Sequence, residues 1–520
     1  MAEHLSSKIV RNTIYNIIGR FWRIIVSLLL APYIISYIGV ERYGVWAIVG
    51  VLTGYFGLLD FGISTSFVKY ISEYYAKKDY QKINQVVNTG FIFYSVFAIF
   101  IITASVIVIN PLLDLFNIPL GLHNEAHFVF MMGIIIFGGS NTTMSFDAVQ
   151  TGLQRMDISN KIALAVSGLQ IAGIILFLKA GYGLPGLMIN NMIIMAINST
   201  ISIIISFKIM PELRFHHIYF TKEMFKKLFS FGYKWQIVRA SILFMVQADK
   251  LFITYFLSIG LVAFYHLAAV IAETGTLIPL LLVSALLPAF SEIDAKGERS
   301  KLIEGYTRIT KYLGLIASPL FILIIISAPQ IMMSWMGPGY ERSVLIIQVL
   351  GVGWLCSVLG GVRSVVLQAI GKPGIETRVG IIAVVMNIPL SIIFILRFGF
   401  TGVAFGTSIA LLFSVLYGFR KLHQELQIPL GVFIRNTFLK PLLLCICIGL
   451  SLWILTALFQ ETLFEPTRIW SLGVLVLKST LFLIIYLMVL LYIKPLDYID
   501  IIIYKGKMPF LYRFLSKFTK

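Results

Sequence analysis

Residues 91–109 read FIFYSVFAIFIITASVIVI, nineteen positions without one charged side chain. Wound as an α-helix, such a run rises ~28 Å at 1.5 Å per residue, close to the ~30 Å hydrocarbon thickness of a bilayer. A transmembrane β-strand is only ~10 residues long and alternates apolar with polar positions. This run is too long and too continuous for that. Working outward, apolar windows bounded by charges place fourteen membrane-spanning helices. They fall at 11–38, 43–70, 84–109, 126–149, 159–179, 184–207, 232–257, 260–289, 306–328, 343–370, 376–397, 401–419, 438–459 and 470–493. The whole chain agrees. Of its 520 residues, 58% are hydrophobic and 13% charged, and mean hydropathy is +0.90. Soluble domains run nearer 45–50% apolar and about 25% charged. A soluble enzyme, a coiled coil and a disordered chain are excluded. The expected fold is an all-α polytopic membrane protein.

The net charge of +18 invites a nucleic-acid reading. Its distribution argues otherwise. With the N-terminus as the first inside segment, alternate loops on that side carry 31 Lys and Arg, against 5 on the other. Such a bias marks the cytoplasmic side, and one missed helix would scramble it. Both termini are therefore expected in the cytoplasm, and the charge reflects topology; no nucleic-acid partner is expected. The opening run carries Arg20 and Arg23 and lacks a small-residue cleavage site, so it reads as a first span rather than a signal peptide.

The loops are too short for a soluble catalytic domain. Gly371-Lys372-Pro373 lacks the glycine spacing and the Ser or Thr of an ATP-binding loop. His216-His217 has no ligand partners at metal spacing, and Cys356, Cys445 and Cys447 lie in apolar stretches. No enzymatic activity, catalytic residue, metal or cofactor is expected. The tail 494–520 mixes aromatics with Lys and Arg, and is expected to lie on the anionic inner leaflet.

Internal similarity suggests duplication. Ile38-Gly39 followed by Ala47 recurs as Ile259-Gly260 followed by Ala268. Arg155 and Lys161 recur as Lys372 and Arg378, and Gly181-Tyr182 as Gly399-Phe400. Two parallel six-helix lobes around a central cavity are expected. They are an N-terminal lobe, 1–230, and a C-terminal lobe, 231–425, with two added helices in 426–493.

Buried charge points to the site. An intramembrane Arg costs ~2.5–3.5 kcal/mol on the insertion scale, so it must face protein or water. Arg20, Arg23, Arg239 and Arg363 all fall roughly 10–18 Å deep from the cytoplasmic side at 1.5 Å per residue. The functional reading is a cationic cavity for an anionic group, because a guanidinium fork suits phosphate. The bland reading is local pairing, for example Arg20 with Asp60, or snorkelling. Asp60, Asp249, Lys250 and Glu273 are gate or ion-coupling candidates, with a structural ion pair as the alternative for Asp249 and Lys250. Lys478 reads as structural. Pro32 and Pro279 are expected to bend their helices.

Pro32, Ile38-Gly39, Tyr43-Gly44-Val45-Trp46 and Leu58-Leu59-Asp60-Phe61-Gly62 resemble the signature of bacterial polysaccharide exporters, the lipid-linked oligosaccharide flippases. Asp249-Lys250-Leu251-Phe252-Ile253 with Tyr265 and Ala268 resembles their second-half motif. The resemblance implies the two-lobe fold shared with multidrug extruders and peptidoglycan-precursor flippases. It implies alternating access and a polyprenyl-pyrophosphate-linked glycan as substrate, for O-antigen, lipopolysaccharide or capsule synthesis. It places the protein in the bacterial inner membrane, among membrane lipids, with a polysaccharide polymerase and a chain-length regulator as partners. Rival readings are a lipid II-type flippase and a cation-coupled drug exporter. The drug exporter fits the four arginines poorly.

Overall fold

The computed structural model describes residues 2–60, 62–284, 286–463 and 467–493. The tail 494–520, expected on the inner leaflet, lies outside them. The described residues are helical throughout, with short turns and no strand. The first eight helices are α1 (Ala2–Phe56), α2 (Ile63–Ala76), α3 (Tyr80–Leu115), α4 (His123–Gly152), α5 (Met156–Lys179), α6 (Gly183–Ile209), α7 (Lys222–Phe256) and α8 (Ile259–Thr274). Then follow α9 (Leu277–Ser284), α10 (Leu287–Ala295), α11 (Arg299–Ile326), α12 (Ala328–Trp335), α13 (Arg342–Leu359) and α14 (Gly361–Ala369). The last are α15 (Pro373–Phe398), α16 (Phe400–Leu426), α17 (Leu430–Ile434), α18 (Lys440–Leu463) and α19 (Arg468–Ile493).

Eleven of the described helical stretches are long and apolar enough to cross a membrane, and twelve with the pair Leu430–Leu439 and Pro441–Thr456, bent by 40°. Two features bear on the difference from the expected fourteen. Gly39, at φ 80° and ψ 171°, leaves the helical region and divides α1 into two helices, 2–38 and 40–56. Only glycine adopts that backbone without strain. The second is α7, whose 35 residues cover the expected seventh span. The backbone stays helical through Pro32, so the interruption of α1 falls at Gly39.

By contacts the chain forms two compact units. One is Met1–Leu267 with Ala383–Gly406; the other is Ala268–Ile382 with Thr407–Lys520. The opening stretch sits in the first. Tyr94, Ile101, Ser105 and Ile109 of α3 are buried along one helical stripe, while Ile99, Phe100, Val106 and Ile107 are exposed. Exposed apolar side chains along a spanning helix are what a lipid solvent requires. The core of this unit includes Phe67, Tyr70, Tyr74, Tyr94 and Phe146. Asn84 and Asn88, four apart on α3, clasp the connection between α6 and α7. Asn84 bonds the Glu212 carbonyl and the Arg214 N–H, and Asn88 bonds the Arg214 carbonyl and the His216 N–H. The second unit packs Phe290, Tyr306, Phe321, Phe419 and Phe433.

The internal repeat is visible in the turn geometry. α4 ends at Gly152 and α14 at Ala369; α5 starts at Met156 and α15 at Pro373. α6 spans Gly183–Ile209 and α16 Phe400–Leu426. Every one of these pairs is separated by 217 residues. The linking turns share their hydrogen bonds too. Arg155 N–H donates to the Gln150 carbonyl at 2.9 Å, and Lys372 N–H to the Leu367 carbonyl at 2.8 Å. Gln154 and Gly371 both take positive φ, 56° and 72°. Gly181 and Gly399, matched by sequence, both lie just beyond a helix end at positive φ. The α8–α9 break at 275–276 also has a cause. Pro279 has no N–H and its ring crowds the carbonyl four residues back, which belongs to Gly275.

Candidate functional site

The first unit holds the site. After α1 the chain makes a tight turn, Gly57–Asp60, before α2 begins. Asp60 is buried and organises this turn. It accepts from the Gly62 N–H, from Ser64 Oγ at 2.8 Å and from Tyr94 Oη at 3.4 Å. Gly62 has φ 73°, and a Cβ there would lie 2.2 Å from the Gly232 carbonyl oxygen. Gly232 is equally confined by Gly62. Backbone therefore meets backbone where α2 starts and α7 passes. A second seam joins 40–56 to α8, since a Cβ on Gly44 would lie 2.2 Å from the Ile259 carbonyl oxygen. The two turns matched by sequence, after Ile38 and after Ile259, thus belong to one packed region.

Near these seams is a cavity of about 360 Å³, whose lining combines apolar residues such as Val49, Val51, Ile136 and Met188 with Trp46, Thr53, Asn191, Gln247, Lys250 and His266. Among the described residues, none that lines it is acidic. Lys250 is 6% exposed and donates to Gln247 Oε1 at 2.8 Å. Asp249, the next residue, is turned to Tyr265, whose hydroxyl donates to its carboxylate. Asp249 thus links α7 to α8, and Lys250 stands at the cavity. His266 Nδ1 is buried without a hydrogen-bond partner among the described residues. Asn190 and Asn191 tie α6 to α5. Asn190 Nδ2 donates to the Gln170 carbonyl at 3.1 Å, and Asn191 Oδ1 accepts from Gln170 Nε2 at 3.5 Å.

The backbones of Arg20, Arg23 and Arg239 belong to α1 and α7. Their side chains lie outside the described residues. Arg363, on α14 in the second unit, is 3% exposed. It donates to both oxygens of Glu376, at 3.1 and 3.2 Å, and to the Val415 carbonyl at 2.9 Å, and lies over the Phe419 ring. Gly418 leaves room for it, since a Cβ there would lie 2.2 Å from its Nη1. Arg363 is thus bound locally within its own unit. Glu273, half-buried near the end of α8, belongs to that unit as well. Lys478 donates to the Ile326 carbonyl at 2.7 Å, at the C-terminal end of α11, where a helix dipole favours a cation.

Sequence reasoning singled out Lys250 and passed over Trp46, Gln247 and His266. Gln247 was within reach, because it precedes Lys250 by three and so shares its helical face. His266 was not, because its partners come from other helices.

A polytopic helical chain with a cation-bearing cavity of mixed polar and apolar lining has the make-up of a membrane transporter. The family model described as "Polysaccharide biosynthesis protein" matches residues 9–294, and the chain belongs to that family, the polysaccharide exporters and flippases. The "Putative O-antigen transporter" of Shigella flexneri is 23% identical over 416 residues, 78% of this chain and 96% of the relative. The "Probable low-salt glycan biosynthesis flippase Agl15" of Haloferax volcanii is 25% identical over 162 residues, 31% of this chain and 34% of the relative. Among solved structures, the Lipid II flippase MurJ in an inward closed conformation matches with a TM-score of 0.70. It is 18% identical, over 92% of this chain and 99% of that one. This likeness is one of fold.

Proposed function

We propose that the protein is a flippase. It turns a polyprenyl-pyrophosphate-linked oligosaccharide repeat unit from the cytoplasmic to the outer leaflet of a bacterial inner membrane, for surface polysaccharide synthesis. The observation that carries this reading is the family match over 9–294, which covers the helices that line the cavity. The 217-residue repeat supports two lobes, 1–230 and 231–425, that exchange access to a central site. Arg20, Arg23 and Arg239 are the proposed contacts to the pyrophosphate. Arg363 would have to release Glu376 before it could join them. Asp60, Asp249, Lys250 and Glu273 are the proposed gate or coupling groups. A membrane potential, negative inside, favours outward movement of an anion by ~2.3 kcal/mol per charge per 100 mV. Transport is therefore expected to run on potential or ion gradients.

The test is leaflet accessibility of the lipid-linked glycan in ATP-free proteoliposomes, with potential and pH gradient clamped separately. Flipping driven by potential alone is expected. Flipping only when ATP is supplied would overturn the mechanism. Flipping of lipid II in place of the oligosaccharide lipid would reassign the substrate.

A further inference from the structure

We propose that the 360 Å³ cavity of the first unit is a sugar subsite, holding one ring of the glycan while the pyrophosphate is bound elsewhere. This rests on the flippase reading and adds which part of the substrate the cavity reads. Its size falls within the roughly 300–1,000 Å³ of small-ligand sites.

The wall chemistry separates a sugar from a phosphate. A phosphate ester oxygen only accepts hydrogen bonds, whereas a sugar hydroxyl both donates and accepts. The cavity offers both roles. Lys250 is a donor only, so the atom of Gln247 facing it is the amide oxygen, and the Gln247 NH₂ remains as a donor. Asn191 receives Gln170 Nε2 on its oxygen, which likewise leaves its NH₂. Thr53 Oγ1 gives its proton back to the Val49 carbonyl at 2.9 Å, so its lone pairs are acceptors. His266 adds an imidazole whose buried Nδ1 has no partner among the described residues. A buried polar nitrogen left alone costs free energy that a ligand hydroxyl or an ordered water recovers.

Shape points the same way. Trp46 lines the cavity, and Tyr43 packs on it edge-on with ring centroids 5.4 Å apart. An indole held in place suits the C–H face of a pyranose. It contributes nothing specific to a pyrophosphate. Tyr43 also touches His266, at 6.0 Å between centroids, so one tyrosine steadies both recognition groups. Ammonium, imidazole, two amides and a hydroxyl, set among an indole and the apolar Val49, Ile136 and Met188, form an amphipathic surface for a ring with hydroxyl edges and C–H faces.

The experiment compares two probes on full-length protein in nanodiscs: bare polyprenyl pyrophosphate, and the same lipid carrying one hexose. Wild type is expected to bind the hexose-bearing lipid about tenfold more tightly. Trp46→Ala and His266→Ala should each bring that ratio close to one, while Trp46→Phe retains most of it. Elution volume and thermal midpoint report folding, and the conservative variant keeps the test decisive if alanine unfolds the chain. Equal wild-type affinity for both lipids, with flipping intact, would overturn the sugar subsite and leave the flippase reading standing. Equal weakening of both lipids by the variants would overturn it too, as it would make the cavity a pyrophosphate site. If wild type binds neither lipid, the flippase reading falls and the subsite with it.

Discussion

Lys250 of the first unit and Arg363 of the second unit are alike in the sequence: single cations inside apolar spans, each with a carboxylate in the same half of the chain. Their surroundings differ. Lys250 lines a cavity with no acid among its described lining residues, and bonds a neutral amide there. Its sequence neighbour Asp249 is engaged with Tyr265. Arg363 meets both oxygens of Glu376, a backbone carbonyl and an aromatic face, in a slot that Gly418 keeps open. A buried cation is therefore defined by what stands opposite it. The Lys250 ammonium stands on a cavity wall beside an amide, whereas the Arg363 guanidinium ties α14 to α15 and α16.

The strongest way to sharpen this contrast is through transport. Replacing Arg20 and Arg23 together with Ala is expected to abolish flipping while membrane insertion persists. Replacement by Lys should restore part of it, because charge survives but the bidentate fork does not. Normal flipping by the double Ala variant would remove both residues from the site.

Next comes the Arg363 pair. Glu376→Gln leaves a buried guanidinium without its counter-charge and should cost about 3–5 kcal/mol, read as a lowered thermal midpoint. The double change Arg363→Met with Glu376→Gln should recover much of that loss and keep flipping. Loss of flipping in a stable double variant would make Arg363 a substrate contact and break the comparison.

The backbone seam of the first unit gives a smaller effect. Gly62→Ala places a Cβ 2.2 Å from the Gly232 carbonyl oxygen and should destabilise by about 1–3 kcal/mol. Gly50→Ala, with nothing within 4 Å, is the control and should change the midpoint little.

The smallest effect belongs to Asp79, which caps α3 by accepting from the Lys82 N–H at 3.1 Å. That bond holds its carboxyl below the usual aspartate range. A lowered folded pKa stabilises above the unfolded value, and the gain disappears as pH falls through the folded one. Asp79→Ala should cost about 1 kcal/mol near neutral pH, with the difference from wild type shrinking in acid.

Much of the fold could be read directly. Continuous apolar runs such as 91–109 fix helices because lipid offers the backbone no other hydrogen-bond partner. The repeated pairs Arg155/Lys372 and Gly181/Gly399 pointed to a duplication; the turns at Arg155 and Lys372 share their hydrogen bonds, and those at Gly181 and Gly399 share a positive φ, since turn geometry is local. Gly39 also marked a junction legibly. Pro279 lies four residues beyond Gly275, which sits in the break between α8 and α9 at 275–276.

The site was legible only in part. Sequence alone determined that this chain lives in a bilayer, where helices must cross it, and which cations are too costly to face lipid. Those facts follow from composition, period and single-residue transfer energies. Tertiary structure decided which groups surround each cation. It placed Glu376 on Arg363, turned Asp249 toward Tyr265, and gathered Trp46, Asn191 and His266 around Lys250. Partnership across 16, 59 or 204 positions of chain carries no local signal, because it is set by how helices pack, and packing is where a buried charge finds its counterpart or keeps a place for a ligand.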